Sequence, residues 1–114
     1  MHEVSLVAAW VEQIGELAQK EGFDRVLAVR VKVGALSGVD PSCIEFCFPE
    51  VTRNSVLEGS KLILEYVGVE LYCDLCHKIS FPEDPSAIFC IYCHSGEVVI
   101  RQGKEFKVID LDVL

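Results

Sequence analysis

Two CxxC motifs constrain this chain more than any other feature of its sequence. Cys73 and Cys76 form the first motif, Cys90 and Cys93 form the second, and thirteen residues separate them. Each short motif places two sulfur atoms on one tight turn, so two such turns can bring four thiolates to a single tetrahedral ion. Zinc favours this four-sulfur shell, and we therefore expect a Zn(Cys)4 site. Such a site has no open position for a substrate and is normally structural.

Composition and charge limit the classes of protein to which the chain can belong. Its 114 residues suffice for one small domain, or a domain with a small insertion, and 51 % of them are hydrophobic, so a core can form. The net charge is −8, and residues 68–97 carry five acidic residues and one basic residue. No segment is basic, so we expect no phosphate-binding surface and no nucleic-acid partner. No apolar stretch reaches membrane-spanning length.

The start of the chain contains an apolar run, Val4–Val11, which raises the question of a signal peptide. Glu3 and Glu12 bracket this run, and the first basic residue is Lys20, whereas a signal peptide begins with positive charge. We therefore expect a cytoplasmic protein, in which six cysteines indicate metal binding instead of disulfide bonds.

The hydrophobic pattern predicts the element order α-β-α-β, then a metal-binding insertion, then β-β. Apolar residues recur at helical spacing over 4–21, and Gly22 follows as a stop signal. Over 25–34 they alternate as in a strand, with one side formed by Leu27, Val29, Val31 and Val33. Asp40-Pro41 indicates an N-cap followed by proline at the first position of a second helix.

Later proline and glycine residues complete the predicted order of elements. Pro49 lies inside the second predicted helix and is expected to kink or shorten it. Gln102-Gly103 is expected to join the last two strands as a hairpin. The remaining strands are predicted at 61–67, 97–101 and 105–112.

These elements predict an α+β fold in which two helices pack on a small three-stranded mixed or antiparallel sheet. A zinc-ribbon-like module is inserted into this core. Residues 1–68, completed by 98–114, are expected to form the core, and residues 69–97 the zinc-binding module.

A histidine at position 2 has a special chelating geometry. The Met1 amine, the His2 backbone nitrogen and the His2 imidazole can form two fused chelate rings on one metal ion, and Glu3 can complete a square plane. Square-planar nitrogen donors suit Ni(II) or Cu(II) and do not suit zinc. The alternative is that His2 is an ordinary residue at a frayed terminus.

Three elements of the sequence occur together. They are the Met1-His2-Glu3 start, the stretch Gly34–Val39 followed by Asp40-Pro41, and the two CxxC motifs with Gly103 after them. This combination resembles the HypA/HybF family of hydrogenase nickel-incorporation proteins, over essentially the whole chain.

The resemblance implies a nickel metallochaperone for assembly of the [NiFe]-hydrogenase active site, and not an enzyme. It implies transferable nickel at Met1, His2 and Glu3 in the 1–68 core, with Asp40 as a secondary candidate. It implies structural zinc at Cys73, Cys76, Cys90 and Cys93.

The resemblance also implies partners. These are a hydrogenase maturation GTPase and the hydrogenase large subunit, with urease and its accessory proteins as an alternative destination. A homodimer is compatible with the sequence, because projecting zinc modules can exchange between chains.

Two other classes of protein share the cysteine pattern. His77 and His94 each follow a CxxC motif, and C-x-x-C-H is also the attachment signature of c-type haem. That class needs export and a second axial ligand, yet the only methionine is residue 1. The other alternative is a zinc ribbon that binds nucleic acid or the transcription machinery, which the acidic charge of 68–97 disfavours.

Four further residues each allow two interpretations. His77 and His94 are expected to be exposed turn residues, or to lie beside the zinc and tune it. Cys43 and Cys47 lie four residues apart on the second predicted helix and can form a redox or metal pair. The favoured interpretation is that both cysteines pack in the core as small hydrophobic residues.

Overall fold

The computed structural model describes residues 3–114, and within that range it contains two α-helices and six β-strands. The helices are α1 (Glu3–Glu21) and α2 (Pro41–Val51). The strands are β1 (Val26–Gly34), β2 (Lys61–Val67), β3 (Glu70–Cys73), β4 (Ile79–Ser80), β5 (Val98–Gln102) and β6 (Phe106–Val113). The predicted α+β class is confirmed. No helix among residues 3–114 has the length and apolar character needed to cross a bilayer.

Helix α1 buries a single stripe of side chains. Val7, Trp10, Ile14 and Ala18 are buried, at the spacing that brings side chains to one face of a helix. Gly22 ends the helix with a φ of 80°, and its N–H donates to the Ala18 carbonyl at 2.8 Å. This is the left-handed geometry that glycine adopts after a helix, so the predicted stop is confirmed.

Helix α2 begins at the predicted cap. Asp40 is extended, with a φ of −87° and a ψ of 110°, and its Oδ1 atom accepts a hydrogen bond of 2.9 Å from the Ser42 N–H. Pro41 occupies the first helical position, where a backbone N–H would have no acceptor within the helix, so proline costs no hydrogen bond there. Ile44 and Phe48 form the buried side of α2, which packs against α1.

Pro49 lies in the last turn of α2, and the helix continues past it to Val51. The Thr52 N–H and the Thr52 hydroxyl both donate to the Phe48 carbonyl, at 3.0 Å and 2.7 Å. Thr52 therefore satisfies a carbonyl at the end of the helix. The predicted kink stays a prediction.

The strands form two three-stranded sheets, with the orders β2-β1-β6 and β4-β3-β5. The Ser60 hydroxyl donates to the Val26 carbonyl at the start of β1, and the Ala35 N–H donates to the Val67 carbonyl at its end, at 2.8 Å. Strands β1 and β2 therefore run parallel, with α2 as the connection between them.

Strand β6 runs in the opposite direction. The Leu114 N–H donates to the Arg25 carbonyl at 3.0 Å, and the Gly34 N–H donates to the Glu105 carbonyl at 2.6 Å. The β2-β1-β6 sheet is therefore mixed, as the predicted fold class allowed.

The predicted hairpin between the last two strands is wrong. Strand β5 pairs with β3 in one sheet, where Tyr72 faces Val99, and β6 pairs with β1 in the other. Gly103 lies between the two strands with a φ of 117°, and its carbonyl accepts a 2.6 Å hydrogen bond from the Leu36 N–H. The glycine therefore carries the chain from one sheet to the next instead of closing a two-residue turn.

The inward side of β1 was predicted correctly except at its start. Val29, Val31 and Val33 are buried, but Leu27 is 46 % exposed and Val26 is buried in its place. The strand begins with Val26 buried, and the alternation of buried and less buried side chains starts only at Val29.

Contacts divide the chain into two units. The helix unit contains the chain up to Val31, Val39–Leu64 and Val108–Leu114. The cysteine unit contains Lys32–Gly38 and Glu65–Lys107. The predicted folding units, residues 1–68 with 98–114 and residues 69–97, stay a prediction.

Candidate metal centres

The structure brings the four CxxC cysteines together in the cysteine unit. Their Sγ atoms lie within 4.8 Å of one another, with 3.6 Å between Cys73 and Cys93 and 3.6 Å between Cys76 and Cys90. A tetrahedral ion with metal–sulfur bonds of about 2.3 Å needs its sulfurs about 3.8 Å apart. The donor set and its spacing therefore fit a four-thiolate metal ion. Among residues 3–114, no other group of three or more His, Cys, Asp or Glu ligand atoms is this compact.

Two copies of the same turn position the sulfurs. His77 donates its N–H to the Cys73 carbonyl, and His94 donates to the Cys90 carbonyl, each at 2.9 Å. The N–H of each first cysteine donates to the carbonyl five residues later, at 3.0 Å and 2.9 Å. The histidines adopt φ values of 62° and 64°, in the left-handed region that lets the chain reverse. Backbone hydrogen bonds thus hold each pair of sulfurs on a closed turn.

His77 and His94 are exposed, which confirms the expectation that they are exposed turn residues. The Nδ1 atom of His77 lies 3.0 Å from the Tyr72 hydroxyl, and the ring of His94 meets that of Phe89 edge-on, with 6.3 Å between centroids. Neither histidine belongs to the four-sulfur group. A role in tuning the metal stays a prediction.

Local donors and neighbouring sulfurs give the four thiols different pKa values. Hydrogen bonds from the Cys76 and Cys93 N–H groups lower the pKa of Cys73 and bring the pKa of Cys90 to about 6. Loss of hydration raises the pKa of Cys76. The Ser95 N–H lowers the pKa of Cys93, but loss of hydration and the adjacent cysteines outweigh it and raise the value to about 12. Proton release should therefore accompany metal binding.

The structure describes only two of the predicted nickel ligands, Glu3 and Asp40. Met1 and His2 lie outside the described residues. Glu3 begins α1, and its Oε2 atom accepts a hydrogen bond of 3.1 Å from the Asp40 N–H. The structure therefore brings Glu3 and the secondary candidate Asp40 together. A sequence pattern could not show this contact, because the two residues are distant in the chain.

Both carboxyl groups are stabilised in their ionised form. The Asp40 N–H lowers the pKa of Glu3, and hydrogen bonds from Ser42 lower the pKa of Asp40. At neutral pH the start of α1 and the start of α2 therefore present two adjacent negative charges. Such charges suit a cationic cargo.

An open groove of about 660 Å³ lies beside these carboxylates in the helix unit. Glu3, Val4, Cys43, Phe46 and Cys47 line it, and Phe46 is 88 % exposed. Cys43 is exposed and Cys47 is half-buried, so the interpretation that Cys43 packs in the core is wrong. The reason is that the buried stripe of α2 is occupied by other side chains, Ile44 and Phe48.

The fold and the sulfur cluster define a class of small α+β protein that carries a two-turn, four-cysteine metal site. A family model described as hydrogenase/urease nickel incorporation, metallochaperone, hypA matches residues 1–113. The chain therefore belongs to the HypA family, and the predicted resemblance is confirmed.

Individual relatives agree with this assignment. The hydrogenase maturation factor HypA of Geobacter metallireducens is 39 % identical over 113 residues, which cover 99 % of each chain. The HypA of Escherichia coli K12 is 36 % identical over 114 residues, which cover 98 % of each chain. The solution structure of the Ni metallochaperone HypA from Helicobacter pylori is 30 % identical, with a TM-score of 0.69, and covers 100 % of this chain and 98 % of that one. These matches favour the family resemblance over the haem and nucleic-acid alternatives.

Proposed function

We propose that this protein is a nickel carrier that delivers Ni(II) for assembly of the [NiFe]-hydrogenase active site and has no catalytic activity of its own. The observation that carries this proposal is the family match over residues 1–113, which includes the Met1-His2-Glu3 start. The four-cysteine site supports a non-catalytic role, because four thiolates leave no position for a substrate.

Nickel is the cargo, and its proposed ligands are the Met1 amine, the His2 backbone and imidazole nitrogens, and Glu3. Asp40 is the secondary candidate, and the hydrogen bond from its backbone N–H to Glu3 Oε2 supports the assignment because it brings the two residues together. A chelate made from consecutive residues of a chain end needs no preformed cage. It should therefore exchange its ion readily, and a partner that competes for His2 or Glu3 would release it.

Zinc is the proposed resident metal at Cys73, Cys76, Cys90 and Cys93. The sulfur–sulfur distances of 3.6 Å support this choice, as does the preference of zinc for a tetrahedral thiolate shell. When bound, zinc supplies a cross-link between the two turns and no reactive position. The residues around it then offer a fixed surface to a partner.

The proposed partners are a hydrogenase maturation GTPase, which assists nickel release, and the hydrogenase large subunit, which receives the ion. Urease and its accessory proteins are the alternative destination, and a homodimer remains part of the proposal. We propose no nucleic-acid partner, because the net charge is −8. A cytoplasmic location is proposed because four of the six cysteines are assigned to metal binding instead of disulfide bonds.

The test is a nickel titration of untagged protein beside two histidine variants. His2→Ala should abolish nickel binding, because it removes the imidazole from the chelate, while zinc content and circular dichroism stay unchanged. His77→Ala is the matched control, since it removes an exposed histidine that lies outside the proposed chelate, and it should retain nickel. Nickel affinity that survives in His2→Ala would show that the proposed site is wrong.

A further inference from the structure

The start of α2 presents three potential metal ligands along one side. Asp40, Cys43 and Cys47 follow one another at intervals of three and four residues, the spacing that aligns side chains on one helical face. The same four-residue interval places the two zinc-binding histidines of HExxH motifs on one face of a helix. Cys43 and Cys47 both line the open groove, where Cys43 is exposed and Cys47 is half-buried.

The first two donors already lie at a distance that a shared ion requires. The Cys43 thiol donates to Asp40 Oδ2 at 3.4 Å. An ion with bonds of about 2.3 Å to sulfur and about 2.1 Å to oxygen needs these atoms about 3.6 Å apart in a tetrahedral shell. The other Asp40 oxygen, Oδ1, accepts the capping hydrogen bond from the Ser42 N–H at 2.9 Å. Helix capping and metal binding therefore use different oxygens and do not compete.

The third donor requires a change of rotamer. The Cys47 thiol donates a weak hydrogen bond of 3.7 Å to the Ile44 carbonyl, and this bond must break before the sulfur can join Asp40 and Cys43. Glu3 is the carboxylate that lines the groove, and its Oε2 atom accepts the hydrogen bond from the Asp40 N–H. Among residues 3–114, the residues that line the groove include no lysine or arginine.

We propose that Asp40, Cys43 and Cys47 form a second metal-binding site, which takes a thiophilic divalent cation that favours tetrahedral coordination, and not the square-planar Ni(II) of the chain start. This inference goes beyond the proposed function, which assigns nickel to nitrogen donors at the chain start. It makes Cys43 and Cys47 of α2 metal ligands instead of packing residues. The two sites share only Asp40, so each can be lost without the other.

The test uses protein whose four-cysteine site is filled with zinc, titrated with Co(II) as the probe. Cobalt bound to thiolates gives a charge-transfer absorption, and zinc is expected to resist displacement because cobalt binds such ligands more weakly. Wild-type protein should show the absorption, and Cys43→Ser/Cys47→Ser should lose it. Zinc content and circular dichroism of the double variant should match wild type, because neither side chain belongs to the buried stripe of α2.

Two further variants distinguish cobalt binding at α2 from cobalt binding at the chain start. Asp40→Asn keeps a good capping residue but removes the anionic ligand, so cobalt affinity should fall at least about tenfold without loss of fold. His2→Ala should keep the cobalt absorption, even where it abolishes nickel binding. No absorption in wild type, or an unchanged absorption in the double cysteine variant, would overturn the proposal. An absorption lost in His2→Ala would overturn it too.

Discussion

Removal of the ion from the four-cysteine site is expected to unfold the turns that carry the cysteines. The apolar support in the cysteine unit is small: Val33, Val69 and Leu71 are buried, together with Cys73 and Cys90 of the four-cysteine site. Burial of a valine or leucine contributes about 1.5–3 kcal/mol, whereas a structural zinc contributes about 10–16 kcal/mol. That metal contribution is comparable to the whole stability of a typical domain, about 5–15 kcal/mol. The ion should therefore dominate the stability of this region.

Amide hydrogen exchange on Cys90→Ser is the corresponding assay. The His77 and His94 amides donate hydrogen bonds within the two turns, so both should lose protection when the thiolate shell is incomplete. The buried side of α1 in the helix unit should retain its protection, and Trp10 fluorescence should report this independently. Cys43→Ser is the matched control and should change neither region. Protected His77 and His94 amides in zinc-free Cys90→Ser would refute the reasoning.

Three further predictions concern the structure around the sites. Gly34→Ala should lower the free energy of unfolding by about 2–4 kcal/mol in urea titration, because a Cβ would lie 2.2 Å from the Gly103 carbonyl oxygen; a loss below about 1 kcal/mol would contradict this. Asp40→Ala should lower the midpoint of urea unfolding because it removes the helix cap, whereas Asp40→Asn should retain the wild-type midpoint. The same midpoint in Asp40→Ala and Asp40→Asn would contradict this. The Glu3 pKa is lowered by the Asp40 N–H, so its contribution is complete above the ordinary carboxyl pKa and is lost as pH falls through the folded-state value. Glu3→Gln should show a smaller loss of stability on acidification than wild type, and identical pH profiles would contradict this.

Local signals in the sequence were sufficient for part of the structure. The CxxC spacing fixes two sulfurs on each turn, so the cluster of Cys73, Cys76, Cys90 and Cys93 could be predicted without the fold. The α1 stripe and the Asp40 cap could also be predicted, because both depend on residues within a few positions of one another.

Features that depend on distant residues could not be predicted. Strand β5 pairs with β3 instead of β6, and the choice is made by tertiary contacts and not by the turn between them. Strand β4 has two residues, too few for an alternation signal. Exposure of Cys43 required knowledge of which side of α2 faces α1, and the hydrogen bond between Glu3 and Asp40 joins two helix starts.

X-ray absorption at the nickel edge, with one equivalent of Ni(II) on zinc-loaded protein, tests the nickel site most directly. The proposed site predicts a shell of nitrogen and oxygen donors that includes imidazole. One extra residue before Met1 should abolish that shell, because it removes the chelating amine. Nickel–sulfur scattering from Cys73, Cys76, Cys90 and Cys93, unchanged by the added residue, would contradict the proposal.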